Sequence, residues 1–374
     1  MSAKRNRIEA ALRQIDEWIG PQGVSGAGAA VWHQGEIAAE RYAGEAQPGI
    51  PVDERTRFAL ASVTKPVTAA VVMTLVEEGA LALDEPVARF VPEFAEPSPD
   101  PGADPALELR RSDVTVRQLL CHTGGLQEDV PPGSRLLHSR PSLDEITDVM
   151  CRLPMRAAPG ESLLYSNAGY AILGRLVERV TGEDFWRVAE ERVLEPLRLD
   201  HTVARPGPAL DEQIAHVADV PRAGTDVASY NGSYWRGLGI PWGGLFGTPR
   251  DLVRFAGAFL PGGPSLLAPA TAALMTSDQA GGVSGGVQSM KVVWHPARWG
   301  LGWEVKGEKR RHWTGELTSF RTFCHFGAAG TLLWADPERD VALAVFGTRT
   351  TTHLWPFVPA RWARLSNAII AAVS

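Results

Sequence analysis

The chain has 374 residues, 44% of them hydrophobic, enough for a large core or two interleaved lobes enclosing a site. Its 37 Lys and Arg against 43 Asp and Glu give a formal charge of -6, and the basic residues form no run longer than Lys309-Arg310-Arg311, so nucleic acid is not an expected partner. Three scattered cysteines, Cys121, Cys151 and Cys324, make no disulfide framework; no CxxC or HExxH spacing suggests a metal; and no signal-like segment or long apolar run appears, so the expectation is a cytoplasmic protein with no membrane partner, metal or cofactor.

In chain order, residues 4–19 read as an amphipathic helix, with Ile8, Leu12, Ile15 and Ile19 at helical spacing and Gly20-Pro21 as its stop. Residues 26–32 and 36–42 read as a hairpin around His33-Gln34-Gly35. The stretch Ala61-Ser62-Val63-Thr64-Lys65-Pro66 then opens the apolar run 67–76. Pro66 lacks an N–H and is tolerated only in a first turn, which places Ser62 at or just before the helix start. Lys65 follows one turn later on the same face. Its amine can accept the hydroxyl proton while the helix N-terminus favours developing negative charge. The same spacing also describes an ordinary capped helix with a solvated Lys.

Gly79 is the expected left-handed cap, and residues 81–90 read as a second short helix. Residues 92–113, dense in Pro, Asp and Glu, read as an irregular surface connection, and 115–120 as a short helix. Ser142 with Glu145 marks a capping box for a helix over 142–153. Tyr165-Ser166-Asn167 stands at a turn into a helix closed by Gly182, followed by another over 184–193. Glycine with aromatic residues over 205–247 suits loops lining a pocket, and helices are expected over 248–259 and 269–275. Past the Gly-rich loop 281–286 the pattern changes to strands over 302–305, 311–314, 322–327, 330–335 and 341–347, then a final helix over 360–373.

Strands at both ends and helices between them imply one antiparallel sheet flanked by terminal helices, an α/β (α+β) architecture with an inserted, mostly helical lobe. The expected division is 1–84 with 290–374 as the sheet lobe and 85–289 as the helical one, with the site in the cleft between them.

Taken together and in order, Ser62-Val63-Thr64-Lys65, Tyr165-Ser166-Asn167 and His325-Phe326-Gly327 resemble the serine β-lactamase and penicillin-recognising family, in its class C-like branch of esterases and D-amino-acid peptidases. The likeness extends to 119–126, Ala158-Pro159-Gly160 and Gly243-Gly244-Leu245, and covers about residues 20–350. The resemblance implies Ser62 as the acylated nucleophile, Lys65 as its partner and Tyr165 as general base, then acid. It implies that Asn167, His325 and Gly327 contact substrate and that the backbone N–H groups of Ser62 and Ala328 form an oxyanion hole. A Tyr base near neutral pH needs its pKa lowered by about 3 units, or ~4 kcal/mol. One ammonium about 4 Å away, at an effective dielectric near 20, would supply that much.

The implied activity is hydrolysis of small or medium esters by a carboxylesterase. The alternatives are a β-lactamase or a DD-peptidase or D-aminopeptidase, an acyltransferase of the same family, or an inactive binding module. His325-Phe326 stands where penicillin-interactive members carry Lys and a hydroxyl residue, which favours the esterase. Two decoys remain. Gly282-Val283-Ser284-Gly285-Gly286 fits GxSxG, but a nucleophile elbow needs a strand before and a helix after it. Cys324 adjoins His325, but neighbouring strand residues face opposite sides.

Overall fold

Strands from both ends of the chain meet in one sheet in the computed structural model, which describes residues 3–131, 136–351 and 357–374. β1 (Gly26–His33), β2 (Glu36–Gln47), β3 (Ile50–Pro51), β4 (Glu304–Val305), β5 (Phe323–Gly327), β6 (Thr331–Asp336) and β7 (Val341–Gly347) lie in the order β4-β5-β6-β7-β1-β2-β3. Every neighbouring pair is antiparallel, and β1 joins β7 from Ala27↔Gly347 to His33↔Val341. The β1–β2 turn carries positive φ at Gln34 (52°) and Gly35 (89°), the conformation that matches the twist of a two-residue hairpin.

The helices used below are α1 (Ala3–Leu12), α2 (Thr64–Glu77), α3 (Val116–Leu120), α4 (Leu143–Cys151), α5 (Asn167–Thr181), α6 (Pro249–Gly257) and α7 (Phe357–Val373). α1 packs on α7, and both cover one face of the sheet, where Ala29, Val31, Trp334 and Leu343 meet Leu12, Trp362 and Leu365. The opposite face, with Ala30, Trp32, Leu333 and Ala344, belongs to a core shared with α2 and α6. Burial on both faces explains why β7 reads as a continuous apolar run rather than an alternating one.

The terminal-strand sheet, the terminal helices on one face and the helical middle agree with the sequence, whereas several local readings need correction. Over 4–19 the α-helix gives way after Leu12 to a 3-10 turn, Arg13–Trp18. Over 81–90 only Val87–Arg89 is helical, since Pro86 pushes the residue before it out of the α region. The stretch 92–113 is no simple surface connection: Arg111 is fully buried, pairs with Glu108 at 2.9 Å and donates to the carbonyls of Cys151 and Leu153. Ser233–Leu238 is a helix inside the aromatic loop. Gly285–Val287, read as loop, is a strand parallel to Leu163–Leu164; a Cβ at Gly285 would stand 2.0 Å from the Leu163 carbonyl oxygen, so only glycine permits the pairing. The 311–314 segment is a turn, because His312 and Trp313 bend inward to bond the Glu304 carboxylate.

Candidate active site

Ser62 stands in a 3-10 turn, Ala61–Val63, that runs directly into α2. Ala61 has φ +47°, a left-handed conformation that costs a residue with a Cβ about 1 kcal/mol or more. Bonds from both sides hold it there. Leu60 donates its N–H to Leu245 O (2.9 Å) and accepts from Thr331 Oγ1 (2.9 Å), while Thr64 Oγ1 accepts from Leu245 N. Gly327 lets β5 press against this turn, since a Cβ there would lie 2.3 Å from Leu60 O.

Lys65 is wholly buried, and its three N–H donors are all engaged: with Ser62 Oγ at 3.1 Å, Asn167 Oδ1 at 2.7 Å and Trp242 O at 2.9 Å. Burial pushes its pKa down to about 7, with Asp129 and then Glu128 pulling the other way. Near neutral pH the amine therefore exists in both forms, and the neutral one can take the Ser62 proton.

Tyr165 enters the site from a backbone pinned to Gly286 O at 3.2 Å, just before Ser166 caps α5 by accepting from Gly169 N. Its phenol pKa is held well above the usual value by burial, against which the Ser62 hydroxyl pulls. The expected lowering by Lys65 does not occur. Lys65 Nζ lies over the ring face, 4.8 Å from its centroid, where it makes a cation–π contact. Tyr165 is thus a neutral phenol, able to pass or donate a proton rather than to start the reaction as an anion.

His325 is 1% exposed, with its ring 6.0 Å from that of Tyr165 and 5.8 Å from that of Trp299. Its Nδ1 pairs with Phe326 O at 2.9 Å, and burial, then Lys65, brings its pKa down to about 3, so the ring is neutral. His325 and Gly327, expected to contact substrate, are not among the described residues that line the cavity. Phe326 of β5 and Ala328 just past its end line the cavity, and the His325 ring stands beside that of Tyr165. The cavity holds about 420 Å³ and opens onto Ser62, Tyr165 and Asn167, with apolar walls that include Leu137, Ile146, Met150, Trp235 and Ile240. Glu128, Asp129 and Arg222 are its charged lining residues among those described.

Sequence reasoning passed over two residues. His122 lies within 119–126; its Nδ1 accepts the Ser166 N–H at 3.0 Å and its ring stands 4.5 Å from that of Tyr165. Asp129 accepts from Asn167 Nδ2 at 2.8 Å. Only the loop folding back on α5 brings either one in, and the signal in the chain is an acidic pair, Glu128-Asp129, shortly after 119–126.

Glu304, His312 and Cys324 place three ligand-type atoms within 4.8 Å of one another, all buried. A cation already occupies this cluster. Lys309 Nζ lies 2.9 Å from Glu304 Oε1, and Trp313 Nε1 donates to Oε2 at 2.7 Å. Burial alone would raise the Glu304 pKa, but Lys309 and His312 outweigh it and bring it to about 2. A carboxylate depressed in this way stabilises the fold above its unfolded value of about 4.3. That contribution fades as the pH falls towards 2. Glu304→Gln should therefore cost about 3–5 kcal/mol in urea unfolding at pH 7, by leaving Lys309 buried and unpaired. The difference from wild type should shrink at pH 3; an unchanged midpoint at pH 7 would count against the pair.

Ser284 of the GxSxG stretch bonds His295 Nδ1 at 2.8 Å, but both are exposed and a strand, not a helix, follows. It lies outside the cavity wall.

With this geometry in hand, comparison with known proteins is informative. The family described as Beta-lactamase matches residues 7–364. Esterase EstB of Burkholderia gladioli is 35% identical over 196 residues, 49% of this chain and 48% of that protein, so the match spans about half the length of that relative. A putative D-alanyl-D-alanine carboxypeptidase of Escherichia coli K12 is 30% identical over 373 residues, 90% of this chain and 82% of the other. The crystal structure of a family VIII carboxylesterase superposes with a TM-score of 0.78 over 99% of this chain and 98% of that one, at 21% identity, which is a likeness of fold.

Proposed function

Because the chain belongs to the Beta-lactamase family and is a hydrolase of that fold, we propose that it is a carboxylesterase working through an acyl-enzyme on Ser62. The observation that carries this reading is a buried amine with a pKa of about 7 held 3.1 Å from a hydroxyl at the floor of an apolar cavity. In the proposed cycle the neutral Lys65 amine takes the Ser62 proton as Oγ attacks the ester carbonyl. The backbone N–H groups of Ser62 and Ala328 stabilise the resulting oxyanion. The proton then passes through the Tyr165 hydroxyl to the departing alkoxide, leaving the Ser62 acyl ester and free alcohol. Water enters by the reverse relay, releases the carboxylic acid and restores Ser62.

Similarity to a putative D-alanyl-D-alanine carboxypeptidase supports a rival reading, a penicillin-interactive enzyme. The wall argues against it. A substrate carboxylate beside β5 would meet Phe326, which has no donor, and the neutral His325 behind it. The rim sets Glu128 and Asp129 against the exposed Arg222. A carboxylate buried without a charged or hydroxyl partner is costly, whereas an ester carbonyl needs only the two N–H groups.

Short p-nitrophenyl esters should therefore exceed nitrocefin and a D-Ala-D-Ala peptide in kcat/KM by at least about a hundredfold, or ~2.7 kcal/mol. Phe326→Thr, which adds a hydroxyl to the wall, should narrow the gap. Equal efficiency on nitrocefin or the peptide would replace the esterase reading with the penicillin-interactive one. An intact-mass acyl adduct from an ester would establish the covalent intermediate.

A further inference from the structure

Behind the Ser62 and Lys65 pair runs a chain of contacts that the proposed cycle does not use. An ammonium only donates, so Asn167 must turn its Oδ1 to Lys65, at 2.7 Å. That leaves Nδ2 pointing away and in need of an acceptor, and Asp129 Oδ2 is there at 2.8 Å. Asp129 is itself fixed. Its Oδ1 accepts from Val130 N at 2.7 Å, and its carbonyl accepts from Gln127 Nε2 at 3.0 Å. The neighbouring Glu128 carbonyl accepts the Asn167 N–H at 2.7 Å, and the Glu128 carboxylate holds Ser289 through its N–H and hydroxyl. The loop 127–130 is thus fastened to α5 and across the cavity.

We propose that Asp129 is a positioning residue for the proton-transfer unit: it locks the Asn167 amide with its oxygen towards Lys65 and sets a carboxylate one amide away from the amine. The inference rests on the reading of Ser62 as nucleophile and Lys65 as its base. The groups facing Lys65 allow its direction to be worked out. Ser62 comes from its own turn, Asn167 and Tyr170 from α5, Tyr165 from the preceding strand end and the Trp242 carbonyl from the aromatic loop. His122 and His325 are neutral, both with depressed pKa values. Among the described residues this leaves the carboxyl groups of Asp129 and Glu128 acting on the ammonium, Asp129 the stronger. Burial raises the Asp129 pKa, and its bonds from Asn167 and Val130, with Lys65 nearby, pull it back down. Each carboxylate favours the charged amine, so each holds the Lys65 pKa up against burial. Removing the Asp129 charge lets it fall. Since the base must be neutral, the rise of kcat/KM with pH then moves to lower pH.

Asp129→Asn separates charge from geometry, because an amide of the same shape can still accept from Asn167. With ε-13C-lysine labelling, the resonance missing in Lys65→Ala should titrate near neutral pH in the wild type and about one unit lower in Asp129→Asn. The acid limb of kcat/KM for p-nitrophenyl butyrate should move down equally, and the high-pH plateau should fall by less than in Asp129→Ala. Asp129→Ala should shift the limb and also lower the plateau at least about tenfold, as the Asn167 amide becomes free to turn. Glu128→Gln should shift the Lys65 titration the same way but by less. An unmoved Lys65 titration in Asp129→Asn, or a larger shift in Glu128→Gln, overturns the inference. That titration needs no substrate, so it decides the matter even if the wild type hydrolyses no ester, a result that would sink only the carboxylesterase reading.

Discussion

Ser62→Ala is expected to lower ester turnover by at least about 10⁴-fold, close to the loss seen when a whole nucleophile unit is removed. The hydroxyl is the atom on which the other contacts converge: Lys65 lies 3.1 Å from it, the Tyr165 phenol adjoins it, and the left-handed Ala61 turn presents it to the cavity. Without Oγ no acyl bond can form, and what remains is the cavity and its N–H groups, which orient an ester and polarise its carbonyl. KM should change little, since the walls are untouched. A variant keeping more than about a tenth of wild-type kcat/KM, or a fluorophosphonate adduct on Ser284, would remove Ser62 from the reaction.

Lys65→Ala and Tyr165→Phe should each lower kcat by about 10³-fold, and the double variant should be no more than about tenfold worse than either. The two groups are shifted in opposite directions. Burial brings the amine to about 7, where it can accept a proton, and drives the phenol well above its usual range, where it can only hand one on. In the proposed relay neither suffices alone: the amine reaches the leaving oxygen only through the phenol, and the phenol has no driving force to take the hydroxyl proton. Independent, fully additive losses in the cycle would show two separate roles. A Tyr165→Phe variant that kept acylating at the wild-type rate but failed to deacylate would place the phenol in the second half-reaction alone.

What was legible in the chain follows the range of the interactions involved. Helical spacing fixes the relation of Ser62 to Lys65, and Pro66 marks the first turn, so that pair could be read locally. The same holds for the Ser142 and Glu145 capping box, whose reciprocal bonds lie within one turn. The β1–β2 hairpin was equally local. His122 and Asp129 were not, since each acquires its partner only when the loop folds against Ser166 or Asn167. The phenol of Tyr165 is a related case. One ammonium beside the ring is not enough, because the fold adds a desolvation of the phenol that no spacing reveals. Residues 311–314 were read as a strand because local alternation carries no information about Glu304, which draws His312 and Trp313 inward.

The pairing of β1 with β7 also sets a schedule for the chain. Ala27 and Gly347 are partners separated by most of the polypeptide, so the hairpin made early in synthesis waits with one ladder of N–H and C=O groups open until the last strands emerge. During that wait β1 is an apolar edge, Gly26–His33, without the β7 ladder or the α7 helix that later bury it. Loop closure across the inserted helical segment must precede most of the sheet's reward, which makes assembly slow and leaves the nascent hairpin the segment most exposed to wrong partners. The Ser62 turn depends on the same late event: Thr331 of β6 and Gly327 of β5 hold the Leu60 and Ala61 backbone in place, so Ser62 acquires its geometry only once the final strands have docked.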